Sequence, residues 1–264
     1  MSLSIANAIN AIKQDEQWLK KIIIGGLAIF VLPYLLGIIL GVMGGEEPSF
    51  VMSAVAYGIC TVLGIYAQGF VVTTAHRYMS SDVLKMPNWF EKGLMTVGGK
   101  AFVGSVAWMC LIYLAGLIIT FAIAGIGAII FGLLYVLLAV LLKLNYVVVI
   151  VLVSTLAIIV LSIVFIYVAQ LFNTALACFL KTLRFEELFD FAKHIKIIKE
   201  NKHTNWTLIG KQVLLFLLYF LAVIALCVTI VGILLIPCLY FAFYIAYYNL
   251  LVLYAKEIQI EKYI

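Results

Sequence analysis

Between Lys100 and Lys181 the only charged residue is Lys143, and between Lys211 and Lys256 there is none. The apolar runs that remain, 42 residues (101 to 142), 37 residues (144 to 180) and 44 residues (212 to 255), each exceed the roughly 20 residues a helix needs to cross the hydrocarbon layer. Lipid offers no hydrogen bonds, so backbone in such runs must satisfy its own N–H and C=O groups, which a helix does. The sequence therefore predicts an all-α, polytopic transmembrane helical bundle. Only 11% of residues are charged, against roughly a quarter in soluble domains. The polar segments 1 to 21, 76 to 100 and 181 to 211 are each too short to build a core of their own. We expect a single integral membrane domain over 1–264.

Charge asymmetry supplies the topology. The connection between spans near 22 to 43 and 51 to 75 carries Glu46 and Glu47 but no Lys or Arg, whereas Arg77, Lys85, Lys92 and Lys100 follow the second span. Seven more basic residues, Lys181, Arg184, Lys193, Lys196, Lys199, Lys202 and Lys211, crowd the later polar segment. The positive-inside bias puts both basic segments in the cytoplasm, so an even number of crossings separates them. Two long helices satisfy this, with Lys143 near the outer surface and 124 to 142 a tilted, kinked or re-entrant extension at Gly125 and Gly127. The last run divides into spans near 212 to 231 and 235 to 254, with Pro237 just past the turn. The expected architecture is about six spans as three hairpins in the cell (cytoplasmic) membrane, N- and C-termini cytoplasmic. Lys13, Lys20 and Lys21 lie beside Asp15 and Glu16 with no Ala-x-Ala-like site after the apolar run, which reads as an uncleaved first span.

Each hairpin is preceded by a segment with apolar residues at helical spacing, so the chain reads as three pseudo-repeats, about 1–79, 80–181 and 182–264. In the third, Leu188, Phe191, Ala192, Ile195 and Ile198 form a stripe beside Glu187, Asp190, Lys193, His194 and Lys196, as in an interfacial amphipathic helix. Ile5, Ala8, Ile9 and Ile12 repeat this at the N-terminus. In the middle copy Pro87 can open a helix that continues through Trp89, Phe90, Leu94 and Val97. Trp18, Trp89 and Trp206 sit near the boundary, where an indole buries its ring and hydrates its N–H. With Lys193, Lys196, Lys199 and Lys202 they form the candidate lipid-surface set, its expected partner an anionic membrane lipid.

The second helix of each hairpin carries an amide about two turns before its cytoplasmic end: Gln68, Asn173 and Asn249, with Gln170 one turn from Asn173. These are the polar intramembrane candidates. Their plainer role is interhelical hydrogen bonding; packed around a pseudo-threefold axis, they would line a polar path.

All twelve acidic residues fall in predicted loops or tails, which disfavours ion-coupled transport through a midplane carboxylate. His76, His194 and His203 are also outside the spans, and no Ser or Cys in a span has a base within reach, which disfavours intramembrane hydrolysis. Glu186, Glu187 and His194 are an incomplete metal-ligand set, and Cys60, Cys110, Cys178, Cys227 and Cys238 read as small core residues. We therefore expect no catalytic residue, no metal and no cofactor. No nucleic-acid-binding module surrounds the basic residues, so nucleic acid is not an expected partner.

Ile9-x-x-Ile12 with Trp18-Leu19-Lys20-Lys21 and Ile24-Gly25-Gly26, Met86-Pro87-Asn88-Trp89 leading to Gly93, and Leu183-Arg184-Phe185 through Phe189-Asp190-Phe191 with Ile197-Ile198-Lys199 resemble the prokaryotic membrane family called domain of unknown function 4013. The resemblance spans nearly the whole chain, departing at Asn201-Lys202-His203-Thr204. It implies an integral membrane architecture and supplies no catalytic residue. The expectation is an integral membrane protein, not an enzyme, that organises lipid or a membrane partner complex, with a protein partner or a second copy of itself beside the lipid. The alternative is a transporter or channel for a small or lipid-like solute.

Overall fold

A computed structural model describes residues 2–27, 35, 38, 50–81, 83–135 and 146–264. Most of the predicted first span with Gly37 and Gly41, the Glu46–Glu47 connection, residues 136–142 and Lys143 lie outside the described residues. Among those described there is no strand. The helices are α1 (Ile5–Ile12), α2 (Trp18–Gly26), α3 (Phe50–Ser80), α4 (Leu94–Tyr135), α5 (Tyr146–Thr182), α6 (Phe191–Glu200), α7 (Lys202–Cys227) and α8 (Ile230–Glu257), with 3₁₀ turns at Phe185–Leu188 and Ile260–Tyr263. Among the described residues five segments are long and apolar enough to cross a membrane: Ser53–Ser80, Leu94–Leu114, Ser162–Thr182, Lys202–Cys227 and Gly232–Glu257. That is the helical complement of a multi-pass membrane protein.

Two boundaries depart from the sequence reading. The last hairpin turns at Val228 and Thr229, earlier than 232 to 234, and Pro237 lies inside α8. Thr229 decides the turn: its hydroxyl accepts the Gly232 N–H at 2.9 Å and caps the new helix. A Cβ at Gly232 would meet the Leu226 carbonyl oxygen at 2.0 Å, so only glycine fits where the two helices join. The helix expected to open at Pro87 does not form, since residues 84–88 have no regular structure and α4 begins at Leu94. Leu84 N–H donates to Gln14 Oε1 and Met86 N–H to Asp15 Oδ2, both at 2.9 Å. Side chains of the N-terminal segment thus anchor the stretch that leads into Pro87.

The chain packs as two compact units, Ser105–Phe172 and the remainder, Met1–Gly104 with Asn173–Ile264. In the smaller unit Trp108 meets Phe172 edge-on at 5.6 Å between centroids, the arrangement favoured by the ring quadrupole. In the larger unit α8 is the central element, with α1, α2, α3 and α7 packed on it. Residues 250–255 are completely buried, as expected of a helix apolar on every side and surrounded by protein.

Small residues bring the neighbours close. At the α3–α4 crossing a Cβ on Gly69 would meet the Leu94 carbonyl oxygen at 1.9 Å, and one on Gly98 the Ile65 carbonyl oxygen at 2.0 Å. Backbones approach to this distance only where side chains are absent, the usual basis of helix association in lipid.

Candidate functional site

Within the larger unit Gln68, Asn173 and Gln212 cluster around the tyrosines of α8. Asn173 of α5 and Gln212 of α7 form a reciprocal amide pair, with Asn173 Nδ2 donating to Gln212 Oε1 at 2.8 Å and Gln212 Nε2 donating back to Asn173 Oδ1 at 3.1 Å. Tyr247 of α8 donates its hydroxyl to the same Asn173 oxygen at 3.0 Å. At the adjacent residue of α8, Gln68 of α3 lies within hydrogen-bonding reach of the Tyr248 hydroxyl, which is 3.5 Å from that of Tyr244. Two of the predicted amides therefore meet neighbouring tyrosines of one helix.

The other two go elsewhere. Asn249 is completely buried and donates from Nδ2 to the Ala8 carbonyl of α1 at 3.0 Å, while its buried Oδ1 has no hydrogen-bond partner among the described residues. Gln170 is buried within the smaller unit. Within the larger unit Asn173 joins α5 to α7 and α8, Gln68 joins α3 to α8, and Asn249 fastens the N-terminal helix.

The C-terminal ends of α3, α5 and α8 meet directly. His76 Nδ1 contacts the Leu180 carbonyl at 2.7 Å, Lys256 Nζ donates to the Ser81 carbonyl at 2.7 Å and lies 4.8 Å from the Tyr78 ring centroid, and Lys181 pairs with Glu261. Cations at these ends face the negative poles of the helix dipoles. Beneath them Tyr254 donates to Asn205 Oδ1 at 2.8 Å, so α8 is bonded to α7 here as well.

The basic segment divides into committed and exposed cations. Lys193 pairs with Glu187, and both side chains are largely buried. Asp190 caps α6 by accepting the Lys193 N–H at 3.1 Å and stands 3.6 Å from its ammonium. Burial alone would pull the Lys193 ammonium down, but the Glu187 hydrogen bond and the surrounding acidic charge hold it above its usual value. Lys196, Lys199 and Lys202 are exposed, as are Phe191 and Trp206. The packed face of α6 is His194, Ile197 and Ile198, while Phe191 and Ala192 are exposed. His194 is completely buried, its Nε2 2.9 Å from the Glu187 carbonyl and its Nδ1 without a hydrogen-bond partner among the described residues. Burial pushes it below the usual imidazole value.

The three boundary tryptophans have three environments. Trp206 is 58% exposed, Trp18 is half-buried, and Trp89 is buried. Trp89 stacks on Phe70 at 4.2 Å and donates its indole N–H to the Lys21 carbonyl at 3.1 Å. This belongs to a node that sequence reasoning missed. Lys21 Nζ donates to Asp15 Oδ2 and to the Met86 carbonyl, both at 2.9 Å, and Asp15 Oδ1 accepts the Gln17 N–H at 2.9 Å. Both side chains of the Lys21–Asp15 pair are about nine-tenths buried. Burial works to raise the Asp15 carboxyl, but the Lys21 hydrogen bond and the Gln17 and Met86 amides outweigh it and hold the carboxyl below its usual value. The available signal was an i, i+6 Asp and Lys pair at the mouth of an apolar run, which neutralises itself.

Among the described residues no three His, Cys, Asp or Glu side chains are grouped as metal ligands. No family model, no curated protein and no solved structure matches the chain.

Proposed function

We propose that this chain is a non-enzymatic, multi-pass protein of the cytoplasmic membrane that organises anionic lipid, or a partner complex on that lipid, at its basic face. The reading carries about six spans as three hairpins, each preceded by an interfacial helix, with the first span within 22 to 43 and both termini in the cytoplasm. It keeps the proposed kinship with the domain of unknown function 4013 family. The observation that supports it is the outer surface of α6 and the start of α7. There Lys196, Lys199 and Lys202 are exposed beside Phe191, 40% exposed, and Trp206, 58% exposed. Exposed aromatic rings beside unpaired cations suit the headgroup layer, where rings enter the acyl boundary and each cation contributes about 1 kcal/mol near an anionic surface.

The test is hydrogen exchange across 184–206 in nanodiscs of phosphatidylcholine with and without phosphatidylglycerol. Anionic lipid should protect this segment in the natural chain and not in a Lys196→Glu, Lys199→Glu, Lys202→Glu variant. Exchange independent of lipid composition would sink the reading.

A second reading, a transporter or channel for a small or lipid-like solute, is favoured by the polar cluster of Gln68, Asn173, Gln212 and the α8 tyrosines within apolar helices. It requires that Leu at Gln68, Gln170, Asn173 and Asn249 abolish flux while the protein still folds. The mutual satisfaction of Asn173 and Gln212 supports interhelical bonding as the main role of these groups.

A further inference from the structure

Phe90 is 98% exposed, although the residue before it, Trp89, is buried. The loop that presents it is held on both sides: Met86 N–H on Asp15, the Trp89 carbonyl on the Tyr66 hydroxyl, the Trp89 indole on the Lys21 carbonyl, and Glu91 on Arg77. A phenyl ring held fully outward by a fixed loop exposes apolar area that water disfavours. It borders a groove of about 490 Å³ whose other wall is α2, including Lys20, Lys21 and Ile24. Of the charged groups lining it, Lys21 is neutralised by Asp15 and Glu91 by Arg77. Lys20 is exposed and has no ion pair among the described residues. The groove is therefore net positive at one point, with Lys85 and Lys92 exposed on the same loop. Its apolar wall continues along α2, where Ile23, Ile24 and Leu27 are 39%, 37% and 44% exposed.

We propose that this groove is a binding site for one anionic phospholipid. Lys20 takes the headgroup phosphate, Phe90 inserts at the acyl boundary, and an acyl chain lies along Ile24 and Leu27. A cation at the mouth of an apolar channel complements the two ends of an anionic lipid and no purely polar ligand. The proposal rests on the lipid-organising reading above and deepens it by naming a second, structured site on a different segment from α6.

The experiment is native mass spectrometry of the full chain released from nanodiscs of mixed phosphatidylcholine and phosphatidylglycerol, comparing the natural chain with Lys20→Glu, Phe90→Ala and, as a control on an exposed lysine elsewhere, Lys262→Glu. Phe90 makes little contact with the protein, so Phe90→Ala keeps the proposal testable if Lys20→Glu fails to fold. The natural chain and Lys262→Glu should retain phosphatidylglycerol. Lys20→Glu should lower retention about fivefold or more, the factor equivalent to about 1 kcal/mol per cation at an anionic surface, and Phe90→Ala should lower it as well through the lost apolar contact with the lipid. Equal retention by all four proteins would overturn the proposal, and if α6 exchange still responded to lipid, the broader reading would survive it. Loss in Lys20→Glu with none in Phe90→Ala, together with displacement of the lipid by inorganic phosphate, would assign the groove to a soluble anion and overturn the lipid site.

Discussion

Asn249 Nδ2 stands 3.0 Å from the carbonyl oxygen of Ala8, so the last helix grips the first across 241 residues of sequence. Ala8 and Asn249 are both completely buried. Two more bonds hold this N-terminal arm, from Leu3 N–H to Glu257 Oε2 at 2.9 Å and from Lys211 to the Leu3 carbonyl. Helix α1 is thus packed on α8 along Ala8, Ala11 and Ile12.

Asn249→Leu removes one donor and also the unpartnered Oδ1, so it should cost only about 1 kcal/mol. Asn249→Asp keeps the shape but sets a carboxylate against the Ala8 carbonyl, two acceptors facing each other in a dry site, and should cost distinctly more. Thermal unfolding in nanodiscs and protease cleavage within residues 2–17 measure both. Equal effects from Leu and Asp would mean that the hydrogen bond does not position α1.

The α3–α4 crossing makes a sharp distinction between adjacent glycines. A Cβ on Gly98 would meet the Ile65 carbonyl oxygen at 2.0 Å, whereas one on Gly99 meets nothing within 4 Å. Gly98→Ala should force the backbones apart and destabilise by about 1 to 3 kcal/mol, while Gly99→Ala should be neutral or slightly stabilising through helix propensity. Midpoints of unfolding that shift alike in the two variants would contradict the crossing.

Breaking the Asp15–Lys21 pair leaves a buried ammonium. Asp15→Asn should destabilise by about 3 kcal/mol and loosen the 84–91 loop, whereas Glu16→Gln, on an exposed neighbour, should not. Because the folded carboxyl is held below its ordinary 3.8, its contribution is present above that value and is lost as pH falls through the lower folded value. Stability against pH should fall there in the natural chain and be flatter in Asp15→Asn. Parallel profiles would remove the pair from this role.

His194 gives a second acid response in a different window. Burial holds it below its ordinary 6.5, with the Glu187 carbonyl bond and Asp190 opposing and Lys193 assisting. Its contribution is present above 6.5 and is lost as pH falls through the folded value, because the released imidazole takes up a proton that the buried one resists. Protection of the 191–200 amides, referred to the intrinsic exchange rate at each pH, should fall on acidification in the natural chain and fall less in His194→Leu, where no imidazole remains to titrate. An identical pH response would assign the effect to other groups.

How far these sites were legible depends on which kind of signal each residue carries. Three charge-free runs are a statement about transfer into hydrocarbon, so helix formation and a multi-pass architecture followed from residues 101 to 255 alone. The sequence also located Gln68, Asn173 and Asn249 as the polar groups worth following. It could not say which surfaces they join. In water an apolar stripe marks the buried face, but in lipid the outward face is apolar too, and the periodicity that would orient a helix fades. Helix α7 contains the most hydropathic of the five candidate spans yet is the least buried, while the less hydropathic α8 forms the centre.

Local competition set the other limit. Pro87 and the apolar residues after it satisfy the local rules for a helix start, yet residues 84–88 have no regular structure and are tied to Gln14 and Asp15, about seventy residues earlier, through the amides of Leu84 and Met86. The packing of α6 through His194 likewise depends on a carbonyl at Glu187 and a core that only tertiary structure assembles. Sequence by itself determined the solvent this chain can fold in and the helices that solvent requires. Tertiary structure alone decided which of those helices lies at the centre, which cations are neutralised and which remain exposed, because hydrogen bonds and close backbone contacts between distant segments leave no trace in local composition.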